Sequence, residues 1–149
     1  MTLETPEKIV NYPVCRNQIY EECRGKETVL ICSSSSLNRH KYDEELKTLL
    51  EASFIKYESN FSSNPSIEEI LKIAEKYRES NIENLIGLGG GSAMDVAKVM
   101  SILIPAKRKK IELNSLLQNI HLLDNITPIY CIQVPTTAGT GSEVTQFAT

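Results

Sequence analysis

The residues in this chain best suited to do chemistry lie in two strings. One is Gly87-Leu88-Gly89-Gly90-Gly91-Ser92-Ala93-Met94-Asp95, and the other is Pro135-Thr136-Thr137-Ala138-Gly139-Thr140-Gly141-Ser142-Glu143. Consecutive glycines let the backbone take positive φ and approach a ligand with no Cβ in the way. Ser92 reads as the N-cap of the following helix, with Asp95 three residues on at capping-box spacing. Such a loop brings unsatisfied N–H groups and a positive helix end to one point, which suits a pyrophosphate. The string is not a phosphate loop ending Gly-Lys-Ser/Thr. Nor is it Gly-x-Gly-x-x-Gly, because Ser92 stands where the last glycine would be. A bare strand-to-helix turn is the plainer alternative, but it needs fewer glycines. The second string offers hydroxyls able to bond phosphate or ribose oxygens, and glycines that permit close approach. Together the two point to a nucleotide cofactor.

Each string follows a short apolar run and so leaves the C-terminal end of a strand, where open α/β sheets bind ligands. Four runs read as strands: Thr28 to Cys32, Ser53 to Glu58, Asn84 to Leu88, and Ile129 to Val134, the last stopped by Pro135. Between them lie helical patterns. One carries Tyr42, Leu46, Leu49 and Leu50 on one face. The next starts at a Ser66/Glu69 capping box and buries Ile67, Ile70, Leu71, Ala74 and Tyr77. A third runs from about Ala93 to Ile104, apolar almost all round and therefore deeply buried. Pro105 and the basic run Lys107-Arg108-Lys109-Lys110 are expected to end it, the run reading as a solvated loop. The alternation predicts an α/β fold, a Rossmann-like parallel sheet with helices on both faces. An edge strand around Lys8 to Tyr12 is a further candidate.

With 149 residues, 41% hydrophobic and 23% charged, the chain is sized for one soluble globular domain. Its net charge of -3 gives no reason to expect nucleic acid or an anionic membrane as partner. No apolar run approaches the ~20 residues that span a bilayer, and the first residues lack a secretory pattern. Cys15, Cys23, Cys32 and Cys131 show no Cys-x-x-Cys spacing and read as reduced, mostly buried thiols of a cytoplasmic protein. His40 and His121 are the only histidines, so a metal site made from this chain alone is not expected.

Gly89 to Lys98 (GGGSAMDVAK) and Pro135 to Glu143 (PTTAGTGSE) closely resemble the iron-containing (group III) alcohol dehydrogenases, and the Asn64-Pro65 step matches a family position beside the cofactor. The resemblance implies that residues 1–149 are that family's N-terminal dinucleotide-binding domain. It implies NAD or NADP as cofactor, with Gly89, Gly90, Gly91 and Ser92 on the pyrophosphate and Asp95 anchoring the loop. Thr136, Thr137 and Thr140 would line the adenine and ribose-phosphate side, with Ser142 nearby and Asn64 facing the cofactor. It also implies a divalent metal, iron or zinc, held by one aspartate and three histidines of a second, helical domain that this sequence lacks. Substrates would be small alcohols and aldehydes, and the complete protein would be a homo-oligomer, a dimer.

Two departures stand out. Many family members carry an aspartate just after the first strand, where Ser33 and Ser34 stand here, with Arg39, His40 and Lys41 a few residues on. Loss of that carboxylate removes repulsion toward a 2′-phosphate, so Ser34 is expected on the cofactor's ribose side, with tolerance of, or preference for, NADP. Asn11 to Arg16 replaces a frequent Gly-x-Gly turn. The ending Thr145 to Thr149 looks like the branch that reduces phosphonoacetaldehyde. The chain stops within an extended stretch, Val144 to Thr149, which reads as a fragment expected to expose apolar surface and associate. A separate reading is a stand-alone, non-catalytic nucleotide-binding domain or truncated remnant. Within the superfold, glycerol dehydrogenase and dehydroquinate synthase are the other relatives to weigh, and the threonine-rich string speaks more against the second.

Overall fold

Thr28, Val29, Leu30, Ile31 and Cys32 favour extended structure through β-branching, and in the computed structural model they form β1 (Thr28–Cys32), every residue buried. The structure describes residues 14–33, 55–59 and 61–136. β1 sits inside a four-stranded sheet with β2 (Ile55–Glu58), β3 (Asn84–Gly89) and β4 (Tyr130–Pro135), in the order β2-β1-β3-β4. All three pairings are parallel. Chain order moves from β1 to a neighbour on one side and then to β3 on the other, so the direction of winding reverses between β1 and β3. Ligands of open α/β sheets bind outside the strand ends at such a reversal. The register sets Cys32 beside Leu88 and Gly89 beside Pro135, so both sequence strings emerge at the same edge of the sheet.

Alternate residues of each strand face opposite layers. Val29, Ile31 and Leu85 pack with Ile70, Ile73, Ala74 and Tyr77 and with Val96, Ala97, Met100, Leu103 and Ile104. These side chains come from α2 (Ile67–Lys76), its C-terminal turn, and α3 (Gly91–Arg108). Leu30, Cys32, Ile86 and Leu88 turn the other way and meet Ile19 and Cys23 of α1 (Val14–Cys23). Helices therefore cover both faces, as an all-parallel sheet requires. Asn84 joins the layers at the strand starts: its side-chain N–H donates to the Glu22 carbonyl at 2.9 Å, in the last turn of α1. A short helix α4 (Leu113–Gln118) and a 3₁₀ turn (Ile120–Asn125) link α3 to β4.

The expected strands fall within two residues of the observed ones, and the α/β parallel architecture is the one found. Three expectations need correction. Pro105 does not end α3; it lies inside a helix that continues to Arg108. The basic run is only in part the expected solvated loop: Lys107 and Arg108 belong to the helix, while Lys109 and Lys110 form an exposed turn after it. Lys107 pairs with Glu75 at 2.9 Å, Arg108 donates to the Ser80 carbonyl at 2.7 Å, and Lys109 donates to the Asn125 carbonyl. These bonds fasten the last turn of α3 to its surroundings, and cations there also suit the negative end of the helix. Ile67 is 39% exposed rather than buried, whereas Ile73, absent from the expected stripe, is in the core. The stripe begins one turn later because Ile67 occupies the first position of the helix. The Tyr42–Leu50 helix, the edge strand at 8–12 and residues 53–54 of the second strand lie outside the described residues, as do the side chains of Cys15 and Glu58. Cys23 and Cys32 are fully buried. Cys131 is partly exposed as a residue, and burial of its thiol pushes the pKa up to about 12, an inert sulfur.

Candidate functional site

β3 ends in glycines for two different physical reasons. A Cβ on Gly87 would lie 3.0 Å from the Ala97 Cβ, 3.1 Å from the Met94 Cα and 3.2 Å from the Gln133 Oε1. Gly87 thus lets α3 pack closely on the sheet; it belongs to the wall of the site rather than its lining. Gly89 has φ 137°, a region that L side chains rarely adopt, and there the chain turns off the strand toward α3.

Gly90 is the N-cap of α3, with extended backbone and no side-chain cap, and the helix starts at Gly91. This corrects the expectation that Ser92 caps the helix in a box with Asp95: Ser92 sits within the first turn. The displacement matters chemically. A serine at the cap would place its own oxygen on a first-turn N–H, whereas glycine places nothing there. The Met94 N–H makes the 3.3 Å bond to the Gly90 carbonyl. Helix geometry leaves the N–H groups of Gly91, Ser92 and Ala93 with no acceptor inside the helix. Three amides and the positive helix end therefore converge where β3 stops, an arrangement suited to an anionic group.

The other expected residues distribute around this point. Thr136 donates its backbone N–H to the Gly89 carbonyl at 2.9 Å, which ties the start of the second string to the first. Ser92 donates its hydroxyl to the Ser63 carbonyl, which brings Asn64, an exposed residue, to the same edge. Asp95 is 5% exposed, lies one turn into α3, and pairs with Lys98 at 2.9 Å. Its carboxylate is thus held inside the layer between α3 and the sheet, one turn behind the glycines. The structure thus gathers Gly89, Gly90, Gly91, Ser92, Thr136 and Asn64. Ser34, Thr137, Thr140 and Ser142 lie outside the described residues, although Ser33 follows β1 at the reversal of the sheet.

Residues 61–66 add a feature that no motif announced. The Ser66/Glu69 capping box forms as expected, but the Glu69 carboxylate also accepts from the Ser62 N–H and hydroxyl. These donors, led by the Ser66 N–H, hold the Glu69 carboxyl below its ordinary range. The contact between Ser92 and Ser63 spans 29 positions, so local sequence carries no sign of it. Among the described residues no group of three or more His, Cys, Asp or Glu is placed to hold a metal ion.

The family model for iron-containing alcohol dehydrogenase matches residues 6–149. The chain belongs to the iron-containing alcohol dehydrogenase family. Its relatives in that family are much longer. The NADPH-dependent butanol dehydrogenase of Clostridium saccharobutylicum is 31% identical over 127 residues, covering 84% of this chain and 32% of that protein. The crystal structure of an iron-containing alcohol dehydrogenase from Thermotoga maritima superimposes with TM-score 0.69 at 33% identity, covering 89% of this chain and 36% of that one. The sulfoacetaldehyde reductase of Bifidobacterium kashiwanohense, solved in complex with NAD+, gives TM-score 0.60 at 25% identity, covering 87% of this chain and 33% of that one. The chain spans about a third or less of the curated relatives it matches.

Proposed function

We propose that this chain is the dinucleotide-binding part of an NAD(P)-dependent oxidoreductase that interconverts an alcohol and an aldehyde or ketone. The observation that carries the reading is the glycine-capped start of α3 at the winding reversal of a parallel sheet, joined to the second string by the bond between Thr136 and Gly89. In this reading the first-turn amides of α3 hold the pyrophosphate, with Gly89 and Gly90 giving it room. Thr136, with Thr137, Thr140 and Ser142 beyond it, lines the adenine and ribose-phosphate side, and Asn64 faces the cofactor. A nicotinamide cofactor held here would supply hydride-transfer chemistry, and the task of Gly89, Gly90, the first turn of α3 and Thr136 would be to fix its position. The family's divalent metal, iron or zinc, would polarise the substrate oxygen. Among the described residues none forms a group that fits such a metal.

Ser33 and Ser34, which follow β1 in sequence where a carboxylate would repel a 2′-phosphate, favour NADP, as does the likeness to the NADPH-dependent butanol dehydrogenase of Clostridium saccharobutylicum. Short aldehydes are the substrate class. The ending Thr145 to Thr149 and the likeness to a sulfoacetaldehyde reductase support an anionic two-carbon aldehyde such as phosphonoacetaldehyde. Titration of the chain with NADPH and NADH, followed by nicotinamide fluorescence, tests the reading. Saturable binding is expected, tighter for NADPH. Tight NADH binding without NADPH binding would remove the 2′-phosphate assignment, and binding of neither would remove the cofactor assignment.

A further inference from the structure

The segment 61–66, between β2 and α2, is held on two sides. Phe61 packs against the main core. The Glu69 carboxylate accepts from the Ser62 N–H at 3.3 Å, the Ser62 hydroxyl at 3.0 Å and the Ser66 N–H at 2.8 Å. From across the site, Ser92 in the first turn of α3 donates to the Ser63 carbonyl. Ser63 and Asn64 stand exposed between these ties, and Pro65 restricts Asn64 to extended backbone. A capping box alone needs only the Ser66 bonds, so the two Ser62 bonds require another explanation.

We infer that Glu69 is a positioning residue for cofactor binding: its carboxylate holds segment 61–66 in the shape that Ser92 tethers, so that Asn64 and the first turn of α3 meet the ligand as one preformed surface. The inference rests on the reading of this site as a dinucleotide cleft. A segment ordered on folding does not have to be ordered again on binding, and affinity rises accordingly. Hydrogen bonds to an ionised carboxylate are strong enough to hold a short exposed segment.

Affinities of NADPH and NADH for the wild-type chain and for Glu69→Ala, Glu69→Gln, Ser62→Ala, Ser66→Ala and Ser92→Ala test it, each variant checked for folding by circular dichroism. Glu69→Ala is expected to raise Kd about five- to tenfold. Glu69→Gln, whose amide oxygen still accepts, recovers part of that loss. Ser66→Ala removes the acceptor for the Glu69 N–H and a hydrogen bond to the Glu68 carboxylate but leaves the bonds that the Glu69 carboxylate accepts, so it lowers stability while Kd stays within about twofold. The Glu69→Ala/Ser92→Ala pair should be little worse than its weaker-binding member, since both release the same segment. Where Glu69→Ala does not fold, Ser62→Ala carries the test, with a smaller rise in Kd in the same direction. Wild-type binding left unchanged by Glu69→Ala, or weakened equally by Ser66→Ala, would overturn the positioning role and leave Glu69 a helix cap. A wild-type chain that binds neither nucleotide would overturn the cleft reading and this inference with it, so the two failures are told apart.

Discussion

Gly87 and Gly89 lie two residues apart on one strand and forbid side chains for unrelated reasons. At Gly87 the obstacle is packing: the Met94 Cα and the Ala97 Cβ, a helix backbone atom and a β-carbon, are neither of them cheap to move. Gly87→Val should therefore destabilise the chain by about 1–3 kcal/mol, the usual range for overpacking, seen as a lower urea midpoint at unchanged slope. Stability equal to wild type would mean that α3 is not pressed on β3 as described. At Gly89 the obstacle is φ 137°. Gly89→Ala strains the turn and also shifts the carbonyl that accepts from Thr136, so it should weaken nucleotide binding more than it weakens the fold. The glycine string showed in sequence that backbone must come close to something here. It did not show which glycine serves the helix and which the ligand, because that division depends on Ala97 and Gln133, brought in from other elements. Ser92 misled for a similar reason. Its capping spacing is a local signal, but its hydroxyl is taken by Ser63, on a distant segment.

Helix α2 shows local rules succeeding and then stopping. Ser66 and Glu69 make the reciprocal box that their spacing predicts, so Ser66→Ala should cost about 1 kcal/mol, measured by thermal or urea unfolding. The carboxylates of the helix also set its acid sensitivity. The backbone N–H at Glu68 holds that carboxyl down, the Ser66 N–H does so for Glu69, and a hydrogen bond from Lys107 does so for Glu75. All three are lowered from 4.5. A group depressed in the folded state adds stability above its unfolded value, and that stability is lost as pH falls through the folded one. Urea midpoints should hold between pH 7 and 5 and fall below about pH 4.5, with a shallower fall in Glu69→Gln. A flat profile down to pH 3 would show that these bonds do not persist in solution. Helix α3 was legible through its continuous apolarity, yet its end was not. Pro105 reads as a stop in isolation, but Lys107, Arg108 and Lys109 find partners on α2, on the loop after it and on the 3₁₀ turn, and the helix runs on.

At the scale of the whole molecule, the order of elements made a parallel sheet readable, since strands separated by helical patterns have no other short connection. The strand order β2-β1-β3-β4 was not readable, because nothing near β3 says that it returns past β1. That unread step creates the site, setting the end of β1, the glycine turn of β3 and the end of β4 side by side. A ligand bound across three strand ends links them, so it should stabilise the fold as one unit rather than one loop. At NADPH a hundred times above its Kd, linkage gives about 2.7 kcal/mol. For a domain of this size that is a rise in Tm of about 5–10 °C. Gly89→Ala should lose most of the rise. Leu117→Ser, on a side chain 75% exposed on α4 and away from the strand ends, should keep it. Differential scanning fluorimetry over a nucleotide series reads both. An equal rise in the two variants would place the nucleotide elsewhere on the surface, because no ligand held by the first turn of α3 can be indifferent to the turn that leads into it.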